Sequence, residues 1–110
     1  MATLTVVTAT LAGTASTAAS AAGGGDVFPN NGKTLVEIVN GGGSPITPTF
    51  AATGVLANGA TIANVATAVS NGVTRIFGPF PTDLFNNASG QVAITYSGVT
   101  TVTVRCISMP

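Results

Sequence analysis

The sequence predicts an all-β fold: a small antiparallel β-sandwich or barrel-like domain preceded by an extended N-terminal arm. Three observations predict it. Turn-forming pairs recur along the chain, at Asn31-Gly32, Asn40-Gly41, Asn58-Gly59 and Asn71-Gly72, then at Ser89-Gly90 and Ser97-Gly98. Asn and Gly tolerate the positive φ that tight hairpin turns require. Between the turns lie short runs of Val, Ile and Thr, whose branched Cβ suits a pleated surface. The last run alternates with period two, Thr100, Val102, Val104 and Cys106 facing one way and Thr101, Thr103 and Arg105 the other.

Taken in order, the first candidate strand is Leu4–Val7, inside an Ala/Thr/Gly-rich segment (residues 1–25) read as the arm. Ala12 to Ala22 is expected to be extended or irregular, because interspersed Thr, Ser and Gly offset the helix preference of Ala. Ala19-Ser20-Ala21 would suit a signal-peptide cleavage site, but the start is uncharged and Thr interrupts the apolar run, so the segment is not read as a signal. Gly23-Gly24-Gly25 is expected to hinge the arm to a body of residues 26–110, with Asp26 in a loop. Leu35–Val39 is the next strand and carries Glu37, and Gly41-Gly42-Gly43 is a loop tip. Ile46–Ala52, Val65–Val69 and Val73–Phe77 follow, the last two as a hairpin across Asn71-Gly72. Pro81 to Phe85 is expected to make one helical turn, and Asp83 to sit in a solvated loop. Val92, Ile94 and Tyr96 alternate as well, and this strand is expected to pair antiparallel with Val99–Ile107 across Ser97-Gly98. Six to eight short strands at this spacing suit a sandwich or small barrel.

With 110 residues there is room for one core. Apolar residues make up 45 % of the chain and charged residues only 5 %, against about 25 % in typical soluble proteins. Three bases (Lys33, Arg75, Arg105) face three acids (Asp26, Glu37, Asp83), for a formal net charge of zero. A surface of Thr, Ser, Asn, Ala and Gly gives up few hydrated ions when covered, so it suits lasting contact with another protein. Three bases are too few for a phosphate-binding footprint, and five Phe, one Tyr and no Trp make a poor stacking platform, so nucleic acid is not an expected partner. The apolar runs are short and broken, so no membrane span is expected.

Chemistry is scarce. Without His the usual general base is missing, and no Ser-His or Cys-His pair can form. The three acids lie in separate segments and read as solvated. Gly32-Lys33-Thr34 matches the end of a phosphate-binding loop, but Val27 stands where that motif needs Gly, and a strand follows where it needs a helix. A lone Cys106 on an apolar face reads as a small buried hydrophobe. No catalytic residue, metal or cofactor is expected. Arg75 and Arg105 lie on strands amid few other charges and are candidates for fixing register, by pairing with Glu37 or Asp83 within the chain or across a subunit boundary.

Two stretches carry a resemblance. Gly25-Asp26-Val27-Phe28-Pro29-Asn30-Asn31-Gly32-Lys33-Thr34 leads into a strand ending Val39-Asn40-Gly41-Gly42. Gly78-Pro79-Phe80-Pro81 is followed by Phe85-Asn86 and then by Val92-Ala93-Ile94-Thr95-Tyr96-Ser97. Together, over roughly Gly25 to Ile107, they resemble small virion proteins of tailed bacteriophages, of the capsid decoration or cement type. The resemblance implies a β-rich protein on the outer capsid surface, without catalytic residues, bound to the major capsid protein and to copies of itself, often as a homotrimer. On that reading the arm, with Leu4 and Val6, would reach a neighbouring subunit or the capsid, and Phe28, Phe80 and Phe85, near the loops, would be apolar anchors of the interface together with Arg75 and Arg105. Deleting Met1–Ala22 would then leave a folded domain that no longer binds capsids. Another small head or tail component, or a secreted carbohydrate-binding or adhesive module, would share the same composition.

Overall fold

The computed structural model describes residues 2–109 and places ten short strands and one helical turn in two facing sheets. The elements are β1 (Ala2–Thr3), β2 (Val6–Thr8), β3 (Ala19–Ser20), β4 (Asp26–Pro29), β5 (Thr34–Asn40), β6 (Pro48–Phe50), β7 (Val65–Ala66), β8 (Thr74–Phe77), α1 (Thr82–Phe85), β9 (Gln91–Tyr96) and β10 (Val102–Ser108). The first sheet runs β1-β4-β9-β6-β7 and the second β2-β10-β5-β8, with β3 also paired to β10. The fold is therefore all-β and sandwich-like, and Thr82–Phe85 is the expected helical turn.

Alternation builds the core. In β5 the side chains of Thr34, Val36, Ile38 and Asn40 are buried, and in β10 those of Val102, Val104, Cys106 and Ser108, with partly exposed residues between them. Val92 and Ile94 of β9, Phe28 of β4 and Phe50 of β6 oppose them from the first sheet. All five phenylalanines belong to this core. Phe80 sits among three others, with ring centroids 5.7 Å from Phe28, 4.8 Å from Phe50 and 5.4 Å from Phe85, the last edge-on. Such tilted arrangements suit the ring quadrupoles and add to area burial.

Both expected hairpins are corrected. β9 pairs with β4 and β6 in the first sheet, whereas β10 pairs with β5, β2 and β3 in the second. Likewise β7 pairs with β6 and β8 with β5. The turns therefore hand the chain across the core rather than folding it back in the plane of one sheet. Backbone geometry explains this. A two-residue hairpin of the commonest kind needs positive φ at both central residues, yet the only non-glycine residue with positive φ among those described is Thr101. Ser70 to Val73 closes with a Val73 N–H to Ser70 C=O bond of 3.1 Å and only Gly72 at positive φ (77°), which is type II geometry and splays the flanking strands. Gly98 is not in the positive-φ region at all. Instead Thr101, at φ 56°, turns the chain into β10, its carbonyl accepting the Gly41 N–H at 2.9 Å.

The segment read as an arm is extended, but it lies along the body. β1 adds to the edge of the first sheet, in parallel with β4, and β2 and β3 add to the second along β10. Leu4, between β1 and β2, is buried in the core, and its N–H donates to the Val27 carbonyl at 2.8 Å. Gly25 acts as a fixed point of close approach: at φ 92°, a Cβ there would come within 2.5 Å of the Ile94 carbonyl oxygen. Asp26 is corrected too. It opens β4 instead of lying in a loop, and it is fully buried.

Candidate functional site

The two stretches that carry the resemblance meet in space at one end of the sandwich. The Asn30 side-chain amide donates to the Phe80 carbonyl at 2.9 Å and to Asn86 Oδ1 at 2.7 Å, and the Asn86 amide returns a bond to the Asn30 carbonyl at 3.1 Å. Asn30 Oδ1 accepts from the Gly32 N–H, turning the chain toward β5. With Phe28, Phe80 and Phe85 packed beneath, these residues hold the fold together. The apolar contact role expected of Leu4, Phe28, Phe80 and Phe85 is thereby corrected: all four are buried, because an eleven-kilodalton sandwich needs its few large side chains for its own core. Val6 is partly exposed and packs against that core.

The acids lie on β4, β5 and α1. Among the described residues no three His, Cys, Asp or Glu side chains gather as a metal site. Asp26 is not solvated as expected: its Oδ2 accepts the Tyr96 hydroxyl at 2.8 Å and the Ala22 N–H at 3.2 Å, tying the N-terminal segment to β4 and β9. Burial, then this carboxylate, raises the Tyr96 phenol well above its ordinary range. The same two causes push the Cys106 thiol up to about 12, so the buried cysteine is held protonated.

An alkaline instability follows. The thiol and the phenol ionise in the unfolded chain, at ordinary values of 9.0 and 10.0, while the fold keeps both protonated. Their contribution is complete below about pH 9 and is lost as pH rises towards 12, since unfolding then releases protons. The expected slope is up to about 1.4 kcal/mol per pH unit for each group. Urea midpoints at pH 7, 9 and 10.5 should fall in that order, and Cys106→Val should flatten the decline; a midpoint independent of pH would exclude the linkage.

The surface with distinctive character is the outer face of the second sheet. Strand register places side chains there in three rows: Leu35, Ile107 and Val7; Ile76, Glu37 and Arg105; and Thr74, Val39 and Thr103. Arg105 Nη1 lies 3.5 Å from Glu37 Oε1, so the expected charge pairing forms within the chain. Both side chains are about a quarter to a third exposed, and such a pair is worth about 0–1 kcal/mol. Its main effect is to leave the face neutral. β8 ends the sheet as an open edge. Val73 before it is 40 % exposed and Ile76 within it 65 % exposed, and Arg75 is exposed between Thr74 and Ile76. Sequence reasoning singled out Arg75 and Arg105 here but missed Ile76, whose outward direction depends on β8 pairing with β5. No known protein family, curated protein or solved structure matches the chain.

Proposed function

We propose that this chain is a structural virion protein that decorates and stabilises a bacteriophage capsid, binding the outer shell as an oligomer. The observation that supports it is the outer face of the second sheet: leucine, valine, isoleucine and threonine side chains around one ion pair, ending in an open edge with Ile76 standing out. A face of this kind loses little hydration of charge when covered, and its apolar side chains gain from burial. Repetition of equivalent sites on a shell multiplies modest contacts into stable attachment.

The test is light scattering on the purified protein, followed by co-sedimentation with undecorated phage capsids. The expected result is a trimer that binds shells saturably and in high copy. Ile76→Asp, a change at an exposed position, should keep the fold and weaken capsid binding by about tenfold or more. Protein that stays in the supernatant at every concentration would overturn the reading.

A further inference from the structure

Resting on the assembly reading above, we infer that the open edge of β8 takes an extended strand carrying a carboxylate opposite Arg75, and that Arg75 keeps a second copy of this chain off the same edge.

The ladder between β5 and β8 fixes which groups are free. The Asn40 N–H bonds the Val73 carbonyl at 3.1 Å, and Ile38 faces Arg75 and Val36 faces Phe77 two and four residues on. Hydrogen-bonded and non-bonded pairs alternate in an antiparallel ladder. Arg75 and Phe77 therefore bond to β5, and the N–H and C=O of Thr74 and Ile76 point to the open side. Among the described residues, no hydrogen bond from elsewhere reaches Thr74 or Ile76. Two donors and two acceptors, spaced as an incoming strand needs them, are thus exposed beside an apolar side chain.

Charge decides which strand fits. Arg75 lies on the same side of β8 as Phe77, the inward side, yet it is exposed and makes no ion pair among the described residues. An inward-directed charge on an edge strand opposes pairing of that edge with a neutral or basic strand. Antiparallel pairing of two copies that uses all the free groups sets Thr74 against the other copy's Ile76, and so sets one Arg75 directly against the other. Like charges at that position repel, whereas a carboxylate there attracts. Glu37, the nearest acid by register, is on the opposite face and is committed to Arg105.

The test uses the full chain, labelled with nitrogen-15 and titrated with two short peptides, acetyl-Thr-Val-Asp-Val-Thr-amide and its Lys counterpart. The expected result is movement of the Thr74 and Ile76 amide signals, with the Asp peptide binding about fivefold tighter. Arg75→Glu should reverse that order. Arg75→Val should add self-association beyond that of the parent protein, seen as higher mass by light scattering at equal concentration. Equal binding of both peptides, no shift at Thr74 and Ile76, or an unchanged mass for Arg75→Val would overturn the inference. A chain that selects the acidic peptide yet ignores capsids overturns the capsid reading alone. One that binds capsids without any peptide preference overturns the role given to Arg75.

Discussion

Phe80→Ala is expected to lower stability by about 3–5 kcal/mol, a large part of the roughly 5–15 kcal/mol that holds a domain together. Phe80 is 3 % exposed and touches Phe28, Phe50 and Phe85, so its removal opens a cavity that three rigid rings cannot fill. It also takes away the packing beneath the Asn30 amide, which is bonded to the Phe80 carbonyl. Urea unfolding measures the loss directly, as a lower midpoint at unchanged slope. The experiment also separates two roles for this residue. A residue that served only as a surface anchor would leave the midpoint alone and weaken binding, whereas a core residue moves the midpoint in the isolated protein.

Removal of residues 2–22 is the second change with a large expected effect, and here the structure reverses what the sequence suggested. Leu4→Ala alone should cost about 2–4 kcal/mol, because Leu4 is 5 % exposed in the common core. The full deletion also removes β1, β2 and β3 and uncovers the edges of β4 and β10. Uncovered edges are templates for aggregation. The truncated chain should melt well below the parent and associate on a sizing column, while Leu4→Ala should melt between the two. A truncated chain with the parent's melting temperature would mean that the N-terminal strands contribute nothing to the body.

The two long strands of the second sheet were readable from the sequence because their pattern is strict. Buried and partly exposed positions alternate without a break along Thr34–Asn40 and Val102–Ser108. Cys106 was readable for the same reason. Pairing was not readable. Val92, Ile94, Val102 and Val104 all direct an apolar face inward, and two such strands satisfy that pattern equally well side by side or across the core. Only the φ values of the connecting residues decide between these, and Asn-Gly or Ser-Gly spells several turn types. Asp26 was misplaced because a carboxylate next to three glycines reads as loop, and its partner Tyr96 is seventy residues away. The aromatic anchors were misassigned for a related reason: proline beside Phe28 and Phe80 and the short turn at Phe85 suggested positions near exposed loops, yet all three rings pack into the core. On the second sheet and its open edge, Arg75 and Arg105 stood out by the scarcity of charge. Ile76 could not stand out until β8 had a place at the edge.

The parallel pairing of β2 with β10 has a mechanical consequence. Val6, Val7 and Thr8 run alongside Cys106, Ile107 and Ser108 in the same direction, so the two ends of the chain leave this ladder at opposite extremes. Tension applied between the ends loads the rungs in shear, where they share the force and must yield together. Antiparallel terminal strands would peel apart one rung at a time under the same pull. A short stretch of backbone next to Cys106 is thus arranged to resist a pull along the strands better than its length suggests.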